Sequence, residues 1–283
     1  MNIAHNYKKW FILSAIIIIV GVGFALINGM NLGIDFTGGT MLRFEFDKKI
    51  QITKIQDILK SYDLEEEIVH AGSENQEVII RTSKKSLSND KRIEISNKFE
   101  KELNGTFLGA EQFSSSVGNE IQQKAFTAIL LAGVCMLIYI WFRFELLFGF
   151  ASIIALIHDI LILLAVYAIF NIPINSSFIA AILTVVGYSI NDTIVVFDRI
   201  RENIRRKKSK NFFEIASLSI DQTILRSIFT SLTTLIVIGS LFVLGTPSIK
   251  EFATPLLAGV LAGTYSSIFV ASPVWAILKT KKR

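Results

Sequence analysis

The chain has 283 residues, of which 51% are hydrophobic and 19% charged, with a formal charge of +5 and a single cysteine, Cys135. One cysteine excludes an intrachain disulfide framework, and the three scattered histidines (His5, His70, His158) show no metal-ligand spacing. The basic excess lies beside uncharged apolar runs, where it orients a membrane protein. The expected solvent is therefore a lipid bilayer. No nucleic acid partner, metal or cofactor is implied, and Cys135, inside an apolar run, reads as a small buried hydrophobe.

The first apolar run is Trp10–Ile27, preceded by Lys8 and Lys9. It is longer than a signal-peptide core and no small-residue cleavage site follows, so it reads as a retained first span. Residues 1–28 then form a cytoplasmic N-terminus and first transmembrane helix. From Gly29 to Lys124 the composition changes, with sixteen acidic and thirteen basic residues, which marks a soluble domain over residues 29–124. Met41–Phe46 alternates, with Leu42, Phe44 and Phe46 on one face of a half-buried strand. Thr53 and Gln56 have capping-box spacing, which predicts a helix with Ile55, Leu59 and Tyr62 on one side. Glu66–His70 and Glu77–Thr82 read as strands about a Gly72–Asn75 turn. Ser88–Leu103 reads as a helix and Thr106–Phe113 as a last strand. The order β-α-β-β-α-β is that of an α+β ferredoxin-like unit.

Five more spans are expected in residues 125–283, at Ala125–Phe142, Leu146–Phe170, Ile174–Phe197, Ser227–Leu244 and Ala253–Leu278. A basic loop near residues 199–226 should join the fourth and fifth, since Arg199–Lys210 carries seven basic residues against one acidic. The Lys8–Lys9 pair, Arg143, this loop and Lys279, Lys281, Lys282 and Arg283 all fall on one side of a six-span scheme. The positive-inside rule makes that side the cytoplasm and the soluble domain external. Asn211 is an N-cap candidate for a short amphipathic helix on the inner surface before the fifth span. The alternative is ordinary packing against the bundle.

Ionisable groups inside spans carry the chemistry, because a charge at a helix centre costs about 2.5–3.5 kcal/mol on insertion scales. Asp192 lies in the cytoplasmic half of the fourth span, and a carboxyl sequestered there can exchange a proton near neutral pH. The bland reading is a structural carboxylate fixed by a neighbouring helix. Arg226 opens the fifth span with Thr230, Thr233 and Thr234 continuing its face and Ser227 and Ser231 flanking it. It either snorkels to the interface or faces a water-accessible interior. His158 and Asp159 sit near the middle of the third span, as a proton relay or a structural polar contact. Gly259 and Gly263 have small-xxx-small spacing for close helix packing, and Gly187 and Gly239 are expected to act alike.

Two strings carry a family resemblance. Leu32–Met41 reads Leu-Gly-Ile-Asp-Phe-Thr-Gly-Gly-Thr-Met, with Gly33, Asp35, Phe36, Thr37, Gly38 and Gly39 at its centre. Val185–Asn203 holds Gly187, Tyr188, Asn191, Asp192, Asp198 and Arg199. Both resemble signatures of the SecD/SecF family of protein-export membrane proteins, on the SecF side, as do Ser116–Gly118 and Gln222–Ser227. The similarity covers nearly the whole chain. It implies an RND-type bundle of six transmembrane helices with the external domain between spans 1 and 2. It also implies a complex with SecD, the SecYEG channel and YajC in the bacterial inner membrane. The activity it implies is non-enzymatic: use of the proton-motive force to assist an unfolded preprotein across. The family's membrane carboxylate falls on Asp192 and its arginine on Arg226. Other readings are a half-size RND-type transporter of lipids or drugs and a scaffold that couples nothing. An intramembrane aspartyl protease using Asp159 and Asp192 would need a Gly-x-Gly before Asp192, where Ser-Ile-Asn stands.

Overall fold

In the computed structural model residues 3–62, 66–71, 76–83, 87–206 and 211–282 are described. The chain divides into two units, one of residues 1–31, 127–173 and 177–283, the other of residues 32–126 and 174–176.

The smaller unit is a four-stranded antiparallel sheet with two helices on one face. It runs α2 (Ile34–Thr37), β1 (Gly39–Glu45), α3 (Ile52–Leu59), β2 (Glu66–Ala71), β3 (Glu77–Ser83), α4 (Asn89–Leu103) and β4 (Thr106–Phe113), in the sheet order β2-β3-β1-β4. Period-two alternation in β1 sends Leu42 and Phe44 into a core with Ile55, Leu59, Ile80, Ile95 and Phe99. Phe44 stacks on Phe99 at 4.7 Å, which fastens α4 to the sheet. Ser88 caps α4, its hydroxyl accepting from the Lys91 amide at 3.4 Å. The expected capping box of α3 is absent: Gln51 is the N-cap and makes no side-chain bond, and Thr53 lies inside the first turn. The turn expected at Gly72–Asn75 lies outside the described residues.

The Gly38–Gly39 pair occupies backbone that side chains avoid, with φ of 74° and 142°. A Cβ at Gly39 would stand 2.0 Å from the Thr82 carbonyl oxygen in β3, and one at Gly38 would stand 2.8 Å from the Ser115 amide. The preceding turn is tied on both sides. The Gly33 amide donates to the Ile174 carbonyl at 2.7 Å, and the Ser176 amide donates to Asp35 Oδ2 at 2.9 Å. Gln122 Nε2 donates to the Phe36 carbonyl at 2.9 Å, and Thr37 turns its hydroxyl onto the Gly33 carbonyl. The motif is thus a backbone joint on which strand β1 and the start of two long helices converge.

The larger unit is helical. Among the described residues six helices are long and apolar enough to cross a membrane: α1 (Tyr7–Asn28), α5 (Ser115–Arg143) and α7 (Ser176–Arg206), the latter two beginning in the smaller unit, α6 (Leu146–Ile169), α8 (Phe212–Leu244) and the composite Ser248–Lys281. The last is α9 (Pro247–Ser266), a π turn (Ser267–Ala271) and α10 (Ser272–Lys281). α1 packs on α6, where a Cβ at Gly21 would meet Ala165 Cβ at 2.2 Å. α7, α8 and α9 share a core of Ala181, Val185, Ile238, Leu256 and Val260. Gly259 and Gly263 act as their spacing predicts: Cβ atoms there would meet Val185 Cγ2 at 2.2 Å and Ser189 Cβ at 2.9 Å. Gly187 and Gly239 do not, since nothing stands within 4 Å of a Cβ at either. Cys135 is exposed, not buried, on the outward face of α5.

Two further expectations change. α7 runs on to Arg206 and α8 starts at Phe212, so residues 199–206 and 212–226 of the basic stretch are helix, not loop, while residues 207–210 lie outside the described residues. The amphipathic segment after Asn211 is not a separate surface helix. Asn211 does cap it, accepting from the Phe213 and Glu214 amides, but α8 continues unbroken to Leu244. Packing explains both: Asn203 Nδ2 donates to Ser219 Oγ at 2.8 Å and Arg199 Nε donates to Gln222 Oε1 at 2.6 Å, zipping the helices together past the apolar region. The basic clusters meet at that end. Arg201 donates to the Arg143 carbonyl and to Asp198, Lys279 pairs with Glu145 at 2.6 Å, and Tyr7 stacks on Phe213 at 5.7 Å.

Candidate functional site

Period-3.6 spacing places Ser189, Asp192, Thr193 and Val196 on the inner face of α7, all buried. Asp192 is 3% exposed, and its Oδ2 accepts a long bond of 3.4 Å from Ser231 Oγ of α8. Ser231 Oγ is also 2.5 Å from Thr264 Oγ1 of α9 and accepts from the Tyr188 hydroxyl at 3.4 Å. Ser227, one turn before Ser231, stands beside Asp192. Its Oγ is fully buried without a hydrogen-bond partner among the described residues. The Arg226 side chain lies on the exposed surface of α8. A buried carboxylate usually takes several short bonds. Asp192 is held by one long bond from Ser231, with the buried Ser227 hydroxyl beside it.

The hydroxyls that face Asp192 are Ser227 and Ser231. Thr230, Thr233 and Thr234 instead donate back to carbonyls of their own helix, at 2.7, 2.8 and 3.1 Å. Asn191 is exposed on α7, and Gly187 borders open space. Asp198 and Arg199 belong to the ion-pair network at the basic end: Arg201 reaches Asp198 at 2.9 Å and Arg199 reaches Glu202 at 2.5 Å.

Asp159, on α6, is 2% exposed and amply bonded. Oδ2 accepts from Ser189 Oγ of α7 at 2.6 Å and from Ser266 Oγ of α9 at 2.9 Å, and Oδ1 lies 3.1 Å from His158 Nδ1. His158 Nε2 lies 2.9 Å from Ser14 Oγ of α1, and its ring stacks on Tyr265, whose hydroxyl donates to the Trp10 carbonyl at 2.9 Å. Ser14, Ser189, Thr264, Tyr265 and Ser266 were not legible as site residues in isolation. The signal present is the Gly263–Ser267 string, Gly-Thr-Tyr-Ser-Ser, a run of hydroxyls inside an apolar span.

This geometry defines a multi-pass helical membrane protein with two carboxyls enclosed among hydroxyls in its bundle. The family described as "Protein export membrane protein SecD/SecF, C-terminal" matches residues 94–281, and the "SecD/SecF GG Motif" matches residues 23–50. "Protein translocase subunit SecF" of Haemophilus influenzae is 40% identical over 93% of this chain and 82% of its own. "Protein translocase subunit SecF" of Acidaminococcus fermentans is 36% identical over 99% and 98%. The crystal structure of SecDF from Thermus thermophilus superposes with a TM-score of 0.90 at 33% identity, over all of this chain and 39% of that one. The chain belongs to the SecD/SecF family of protein-export membrane proteins. Its place there is that of a SecF-type protein translocase subunit.

Proposed function

We propose that this subunit, paired with a SecD partner, uses the proton-motive force to assist preprotein translocation across the bacterial inner membrane. The carrying observation is Asp192, buried among three helices and held by a 3.4 Å bond with the Ser227 hydroxyl unpartnered beside it. Proton exchange at Asp192 alters the charge enclosed between α7, α8 and α9, and so biases two packings of the bundle. Arg226 and the Ser227 and Ser231 hydroxyls stabilise the ionised form. His158 and Asp159 belong to the same buried polar layer.

The partnership with SecD rests on SecDF relatives that carry this chain's counterpart within a longer one: the SecDF of Bacillus subtilis is 33% identical over 97% of this chain and 38% of its own. The helices α1, α5 and α8 present mostly exposed apolar faces, which suits a second bundle and lipid as neighbours. Convergence of the basic clusters at one end supports cytoplasmic termini, with residues 29–124 an external ferredoxin-like domain on an RND-type bundle of residues 1–28 and 125–283. The sheet order β2-β3-β1-β4 supports that reading of the domain. SecYEG, YajC and an unfolded preprotein complete the assembly, and the subunit itself hydrolyses nothing.

The test is reconstitution. Proteoliposomes holding SecYEG, SecD and this subunit should complete preprotein export several-fold faster under an imposed proton gradient. A protonophore should remove the gain. Equal rates with and without the gradient would reduce the subunit to a scaffold.

A further inference from the structure

Asp159 accepts two short hydroxyl bonds and lies against His158, and its hydroxyl donors come from the helices that build the Asp192 site. Ser189 lies one turn before Asp192 on α7. Ser266 lies two residues after Thr264 on α9, and Thr264 meets Ser231, the hydroxyl on Asp192. One carboxylate therefore joins the helix bearing Asp192 to the helix bearing its partner's partner.

Ser266 is also the last residue before the π turn Ser267–Ala271. A π turn inserts an extra residue, rotates everything beyond it, and persists only where neighbours support it. Here the support is from hydroxyls. Ser267 Oγ donates to the Gly263 carbonyl at 2.8 Å and lies 2.9 Å from Thr193 Oγ1. Ser272 Oγ donates to the Ser267 carbonyl, five residues back, at 3.2 Å. The Asp159–Ser266 bond anchors the near edge of this turn against α6.

We propose that Asp159 is a positioning residue for the Asp192 site, acting as a fixed hydrogen-bond acceptor that seats the π turn of α9 against α6 and α7, and not as a proton carrier. The inference rests on the reading of Asp192 above. Its chemistry separates the two carboxyls. An acceptor role needs lone pairs, which an amide oxygen also supplies, whereas a carrier role needs an ionisable group. With Asp159→Asn, Oδ1 accepts from Ser189 and Ser266 while Nδ2 donates to His158 Nδ1. The imidazole then takes the other tautomer and donates from Nε2 to Ser14, whose hydroxyl turns to Tyr265 at 3.4 Å. The chain of bonds reverses and survives. Asp159→Leu fills the space, leaves Ser189 Oγ and His158 Nδ1 unbonded, and leaves Ser266 Oγ held only by the Gly263 carbonyl of its own helix at 3.2 Å.

The experiment compares Asp159→Asn, Asp159→Leu and Asp192→Asn in the full subunit with SecD, reading gradient-driven export and amide exchange over residues 264–271. Asp159→Asn should stay within about threefold of the parent in export, with unchanged exchange. Asp159→Leu should lose about tenfold or more in export and gain about tenfold or more in exchange. Asp159→Asn as inactive as Asp192→Asn, with parental exchange, would make Asp159 a carrier and overturn the proposal. Asp159→Leu with parental exchange would overturn it as well. Normal export by Asp192→Asn sinks the coupling role of Asp192 instead, and the exchange arms still decide whether Asp159 seats the turn.

Discussion

Asp192→Asn should abolish the response of export to a proton gradient while leaving the bundle folded. The substitution is nearly isosteric, and the amide oxygen still accepts from Ser231 at the 3.4 Å position. The lost interaction is one long bond at most, worth about 1 kcal/mol or less. What disappears is the ionisable group. With no charge to gain or lose between α7, α8 and α9, the gradient has no differential grip on two packings, and a ligand without differential affinity shifts nothing. The gradient-dependent part of the export rate should fall about tenfold or more, at least about 1.4 kcal/mol in barrier terms. Export driven without the gradient should be unchanged. Rates with and without a protonophore, measured beside the melting temperature of the purified subunit, separate the coupling defect from a folding one.

Gly39→Ala should unfold the sheet unit locally, the largest structural effect expected of any single methyl group in it. Two costs add. The residue sits at φ 142°, backbone that side chains occupy at about 1–3 kcal/mol. The new Cβ would also stand 2.0 Å from the Thr82 carbonyl oxygen, an atom of the paired strand that cannot rotate away. Overpacking of this kind costs about 1–3 kcal/mol more. The sum is a large share of the 5–15 kcal/mol by which a domain is ordinarily stable. Gly109→Ala, in β4, is the control: nothing lies within 4 Å of its Cβ, so the change should stay within about 0.5 kcal/mol. Amide exchange over residues 39–45 in the full chain reads both. Parental protection in Gly39→Ala would mean that β1 and β3 can part without cost.

The six membrane-crossing helices were legible because an uncharged run of about 20 residues is a global constraint that little else satisfies. The burial of Asp192 was legible for the same reason, as an isolated charge in such a run. The strands and helices around Leu42, Phe44, Ile95 and Phe99 were legible because period two and period 3.6 appear in a short window. What escaped depends on partners far along the chain. Ser14, Ser189 and Ser266 weigh almost nothing in local hydropathy, yet with Asp159 and His158 they form the polar layer joining four helices. Gly187 and Gly259 are the same residue in similar surroundings, but only Gly259 has a helix opposite it. The stretch from Arg199 looked like a loop because charge density marks the membrane boundary. A helix can leave the membrane intact when Asn203 and Arg199 find Ser219 and Gln222 across from them. Cys135 was misread because an apolar run in a membrane chain supplies exposed helix faces, such as that of α5, as well as the protein interior.

The central claim is that the Asp192 carboxyl itself takes up and releases a proton, and infrared difference spectroscopy of the subunit with SecD in membranes observes that directly. Titration should reveal a protonated-carboxyl stretch that appears as pH falls and is missing from Asp192→Asn but retained in Asp159→Asn. A spectrum without such a band, or one in which the band persists in Asp192→Asn, would contradict the account.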